Sequence, residues 1–77
     1  MDVPNGPEQF PERLRVLRKR LGKSQTELAA LCEGIPSART LRRWELGEVA
    51  PHIGRAFSRL AEVLDVSPAY LRWGGEE

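Results

Sequence analysis

Arg39, Arg42 and Arg43 lie close enough along the chain to share one side of a helix. At about 100° per residue, Arg39, Arg43 and Leu46 point one way with Arg42 beside them, while Leu41 and Trp44 point nearly the opposite way. Packing does not ask for three arginines on an outward face. Guanidinium chemistry explains them better, because its planar fork binds phosphates and pairs bidentately with the O6/N7 edge of guanine. No other constellation competes. His52 is the only histidine and Cys32 the only cysteine, and neither has the companions a zinc site needs. Ser24, Ser37 and Ser67 all stand where helices should begin, so capping accounts for them without catalysis. There is no nucleophile–base pair and no phosphate-cradling glycine loop. The expectation is a chain that is not an enzyme, takes no cofactor or metal, and has no evident small-molecule ligand.

The charge distribution extends the argument. The 77 residues carry a formal net charge of +1, but Arg13, Arg15, Arg18, Lys19, Arg20, Lys23, Arg39, Arg42 and Arg43 are opposed between Arg13 and Arg43 only by Glu27 and Glu33. Any one of these side chains is adequately explained as part of a solvated helix face. The asymmetry as a whole points to an oriented contact with a polyanion. The longest apolar run, Leu28 to Cys32, is too short to span a bilayer. A lone cysteine and no visible signal segment make the cytoplasm the expected compartment.

The elements that must position the arginines follow from periodicity and punctuation. Pro4, Asn5, Gly6 and Pro7 suggest a flexible arm over 1–9. Phe10, Leu14, Leu17 and Leu21 place an apolar stripe on a first helix from about Pro11 to Leu21, closed by Gly22. Ser24 caps a second helix, with Glu27 placed to complete a capping box and Leu28, Ala29, Leu31 and Cys32 on its buried side. Gly34, Ile35 and Pro36 break it, and Ser37 caps the third. A fourth helix carries Ile53, Phe57, Leu60, Ala61 and Leu64. Ser67 and Pro68 open a short fifth with Tyr70, Leu71 and Trp73. Nothing alternates with the period of a strand. The fold expected is all-α, five short helices in one domain over 10–74, with a flexible tail over 75–77. Helices two and three form a bihelical unit in which Ala29 allows close contact, Gly34 makes the turn, and Ile35, Leu41 and Trp44 fix one helix on the other.

In this order the pieces resemble the Cro/C1-type (XRE) helix-turn-helix family of phage and bacterial repressors. The matching residues are Arg13-Leu14-Arg15-Val16-Leu17-Arg18 with Leu21-Gly22, then Ser24-Gln25-Thr26-Glu27-Leu28-Ala29. They continue through Thr40-Leu41-Arg42-Arg43-Trp44-Glu45-Leu46-Gly47 with Pro51, and Leu60-Ala61 with Leu64 to Leu71 and Trp73-Gly74. The resemblance covers residues 12 to 74 and implies a lambda-repressor-like five-helix domain. It also implies a sequence-specific double-stranded DNA-binding transcriptional regulator, a repressor, with the helix around residues 37–46 in the major groove. Ala38, Arg39 and Arg43 match its base-contacting positions, and Arg42 lies alongside. Gln25 matches a phosphate-contacting glutamine, and Lys23, Ser37, Thr40, His52 and Arg55 complete the expected phosphate set. Arg18 and Glu45 match a structural ion pair. Family members pair as homodimers, and the apolar excess at Val63, Tyr70 and Trp73 is where this chain is expected to do so.

Two departures from the family stand out. From Ala29 to Leu41 the chain is two residues longer than the usual spacing, so the turn must lengthen or helix two must extend. The loop Glu48-Val49-Ala50-Pro51 lacks the basic residues often found there. The rival reading is a helix-turn-helix module that binds protein instead of DNA, as in an antitoxin or accessory subunit. An outward face of arginines argues against it.

Overall fold

The structure, a computed structural model, describes residues 3–75. A 3-10 turn at Pro7–Gln9 leads into α1 (Phe10–Leu21), followed by α2 (Gln25–Leu31), α3 (Ala38–Glu45), α4 (Arg55–Leu64) and α5 (Pro68–Trp73). All five helices are there and no strand occurs among the described residues. Helix α3 packs on both α1 and α2, and α5 closes against α1 and α4.

Local chemistry sets the helix starts. Ser24 Oγ accepts from the Glu27 amide at 3.0 Å, and the Glu27 carboxylate accepts from the Ser24 amide at 2.8 Å, a complete capping box. Ser37 accepts from the Thr40 amide and Ser67 from the Tyr70 amide in the same way. Each bond satisfies an amide that has no partner inside its own helix.

The core is a single cluster that includes Leu14, Leu28, Ala29, Cys32, Leu41, Leu60, Ala61, Leu64 and Leu71. At its centre Phe10 of α1, Trp44 of α3 and Phe57 of α4 meet as an aromatic trio, with ring centroids 6.4, 5.8 and 5.9 Å apart. Such contacts prefer inclined rings and add to the burial of their area. They lock α3 to α1 and α4 at its C-terminal end, an anchor separate from the turn before it.

Several apolar positions differ from the expected pattern. Leu31 and Ile35, assigned to the buried side of the bihelical unit, are 47% and 61% exposed. Helix α2 ends at Leu31, which lies outside its buried side of Leu28 and Ala29, and Ile35 falls in the lengthened turn before α3. The turn therefore absorbs the extra residues. Ile53 precedes α4 instead of packing from it, and is also exposed. Leu21, at the last position of α1, lines an open groove with Leu17, Leu64, Val66 and Tyr70. Gly34 makes the sharp bend as expected, at φ 82°, and Glu33 before it, φ 59°, shares the left-handed conformation. The Gly34 amide bonds back to Ala29 O at 2.8 Å. Arg59 of α4 reaches Glu33 of the turn at 3.8 Å, an exposed contact.

Arg13, counted with the basic face in the sequence, is instead fully buried. Its Nε donates to Leu71 O at 2.9 Å and Nη2 to Arg72 O at 2.8 Å, while Nη1 donates to Pro4 O at 3.0 Å and Gly6 O at 2.8 Å. Burial holds this guanidinium below the ordinary arginine value. Two of its acceptors belong to the last turn of α5, whose carbonyls have no helical partner, so α1 supplies the cap that α5 lacks. The other two belong to the segment expected as a flexible arm. In its described part, that segment is fastened by Arg13, and the Gly75 amide donates to Asn5 O at 3.2 Å. Gly74, φ 81°, permits this approach, because a Cβ there would run into the Asn5 carbonyl oxygen. Residues 1–2 and 76–77 lie outside the described residues.

Candidate nucleic-acid interface

Helix α3 buries Leu41, Trp44 and Glu45 and exposes Arg39, Arg42 and Arg43. The outward arginines are brought together: Arg39, Arg42, Arg43, Leu46 and Glu48 line an open concavity of about 360 Å³. Leu46 is 54% exposed there, an apolar patch amid cations. Ala38 is half-buried and packs on the core, so at most part of its methyl surface faces outward.

The residues expected at phosphates fall into distinct surroundings. Gln25 opens α2 and is half-buried. Ser37 and Thr40 engage one another, Ser37 Oγ to Thr40 Oγ1 at 3.1 Å, in addition to the cap. Lys23 is half-buried, and its carbonyl accepts from Arg18 Nη1 at 3.0 Å. Arg55 opens α4 and lines a separate concavity with Glu33, Ile35 and Arg59, beside the α2–α3 turn. His52 is exposed in the loop before α4, and neither concavity includes it.

One arrangement ties the surface to the body. Arg18 of α1 holds Glu45 of α3 bidentately, Nε to Oε2 at 2.7 Å and Nη2 to Oε1 at 2.9 Å. The pair is 12% and 4% exposed, respectively. The bond to Glu45 raises the Arg18 pKa above its ordinary value. Arg15 adds a longer contact, Nε to Glu45 Oε1 at 3.8 Å, and Nη2 reaches the Glu45 carbonyl at 3.4 Å. Arginines 15 and 18 thus serve partly as fasteners for α3. At the start of α2, the bond from the Ser24 amide and then the Ser24 side chain hold the Glu27 carboxyl below the usual carboxylate range. Burial pushes the Cys32 thiol up, in keeping with a small core residue.

The three residues expected at a dimer interface differ in exposure. Val63 is half-buried against the core, Tyr70 half-buried along the groove beside Leu21, and Trp73 51% exposed, with the Arg72 guanidinium 4.2 Å from its ring centroid. Two residues beside the expected site were not singled out from sequence. Glu48 joins the arginine concavity, and Arg59 contacts Glu33 in the turn. No group of His, Cys, Asp or Glu that could hold a metal occurs among the described residues, and no helix among them is long and apolar enough to cross a membrane.

Five helices with a bihelical unit at their centre, and an arginine-faced third helix braced from α1, define a helix-turn-helix domain. The chain belongs to the helix-turn-helix family of the Cro/C1 (XRE) type, whose family model matches residues 14–71. Among solved structures it is similar to the P22 c2 repressor protein, solved in complex with the synthetic operator 9T in the presence of Tl+. The two share 32% identity at a TM-score of 0.69, over 80% of this chain and 89% of that one. No curated protein matches the chain significantly.

Proposed function

We propose that this protein is a DNA-binding transcription regulator, not an enzyme, and that it acts as a repressor by inserting α3 into the major groove of duplex DNA. The carrying observation is the concavity of Arg39, Arg42 and Arg43 on an α3 fastened to the core by Trp44 and by the Arg18–Glu45 pair. Family membership and a neighbour solved on an operator support the same reading. In it, Arg39, Arg42 and Arg43 meet base edges, and Leu46 and the exposed part of Ala38 meet thymine methyls. Gln25, Lys23, Ser37, Thr40, His52 and Arg55 approach phosphates from the flanks.

The active form is a two-fold dimer. The longest dimension of one chain is 28 Å, less than the roughly 34 Å that separates successive major grooves on one side of the duplex. One chain therefore reads one groove, and a second copy reads the next. Trp73, the most exposed aromatic toward α5, belongs to the surface through which the copies meet, with Val63 and Tyr70 behind it.

Selection of bound sequences from random duplex DNA at fixed salt tests this reading. The expected product is a roughly palindromic site with two chains bound by sedimentation. Arg43→Ala is expected to lose about 1–3 kcal/mol and to relax preference at one base position per half-site. An equal loss on every sequence would make Arg43 a phosphate contact. Absence of any selected sequence would leave the protein-binding reading in its place.

A further inference from the structure

The exit of α3 carries an acid where neither the helix nor a polyanion surface calls for one. The Gly47 amide donates to Trp44 O at 3.2 Å and the Glu48 amide to Arg43 O at 3.1 Å, with Gly47 at φ 73°. These paired bonds form a Schellman closure, which sets the residue after the left-handed glycine beside the residue that begins the last turn. The two side chains brought together this way are usually apolar. Here they are Glu48 and Arg43, and Arg43 Nε lies 3.6 Å from Glu48 Oε1. An acid at this end meets the negative pole of the helix dipole. The ion pair offers little in return, because both partners are about half exposed, 49% and 53%. Stability does not account for Glu48.

Geometry does. A guanidinium presents one edge through Nε and another through its two terminal nitrogens. The Glu48 carboxylate sits at Nε and leaves the terminal edge free within the concavity that Arg43 shares with Arg39 and Arg42. A phosphate approaching that edge meets the full repulsion of a neighbouring carboxylate, whereas the O6/N7 edge of guanine, which is polar but carries no net charge, meets much less. We propose that Glu48 is a specificity-determining positioning residue, which holds Arg43 by its Nε edge so that Arg43 reads a guanine edge in preference to binding a phosphate. This rests on the major-groove reading above.

The test compares the wild-type chain, E48Q and E48A by fluorescence-anisotropy titration. The duplexes are the selected site, its variants at the base pair that Arg43→Ala relaxes, and an unrelated sequence. Removing the carboxylate in E48A is expected to reduce preference at that base pair about tenfold, within the range one bidentate arginine–guanine pair supplies. Affinity for the unrelated duplex is expected to rise. E48Q, which keeps a polar oxygen at the same reach without the charge, is expected to retain part of the preference. Thermal unfolding midpoints close to wild type in both variants establish that the change is not one of folding. If both variants gain the same factor on every duplex, Glu48 is a repulsive charge only and the proposal fails. A wild-type preference that survives undiminished in both variants also overturns it, while the major-groove reading stands. A wild-type chain with no preference among duplexes overturns the two together.

Discussion

At the level of single residues, arginine serves several purposes in this chain, and surroundings decide which. Arg13 is buried among carbonyls, Arg18 is locked on a carboxylate, and Arg39, Arg42 and Arg43 stand in water with donors to spare. The composition is the same throughout, but the desolvation differs. The Arg18–Glu45 pair allows a quantitative test. Glu45 is 4% exposed, so Arg18→Ala leaves a nearly buried carboxylate, and a loss of about 3 kcal/mol in unfolding free energy is expected. A double-mutant cycle with Glu45→Ala should give a coupling of at least about 1 kcal/mol. Arg15, already 3.8 Å from the same carboxylate, would soften the single loss by moving closer. Additive losses in thermal or urea unfolding would mean that the pair contributes nothing as a pair.

At the level of elements, what could be read from the sequence was what depends on near neighbours. The caps at Ser24, Ser37 and Ser67 need only a hydroxyl and an amide three residues on, and each helix start follows from one. The opposed faces of α3 follow from a period that eight residues suffice to display. Leu31, Ile35 and Ile53 were not legible in the same way, because hydrophobicity marks what can be buried and not whether a helix end, a turn or a loop will present it to a partner. Glu48 escaped notice for a related reason, since its contact with Arg43 exists only once Gly47 adopts its left-handed turn. Ser37 was read as a phosphate ligand, yet its hydroxyl already serves the Thr40 amide and hydroxyl. Ser37→Ala should therefore cost about 1 kcal/mol of stability, within the usual range for a lost N-cap. It should also loosen the start of α3, measured as faster hydrogen exchange at the Thr40 amide. Unchanged stability with weakened DNA binding would make the phosphate contact, and not the cap, the main role of Ser37.

At the level of the whole molecule, Arg13 joins what the sequence keeps apart. Its acceptors on α5 lie 58 and 59 residues away, and all four are backbone carbonyls, which no side-chain pattern announces. Removing the guanidinium in Arg13→Ala would strand one buried and three partly buried acceptors, the buried one alone worth about 1–3 kcal/mol. A total loss of at least about 3 kcal/mol is expected, with protection lost first at the Gly74 and Gly75 amides. Arg13→Lys should recover little, because one ammonium cannot span carbonyls on two segments. Stability unchanged in both variants would show the clamp to be dispensable. The clamp also has a bearing on the order of synthesis. During translation Arg13 emerges long before Arg72, and at about 5–20 residues per second the interval is on the order of several seconds. For that time the guanidinium has no α5 carbonyls to bind, so this domain cannot complete its fold until α5 has left the ribosome.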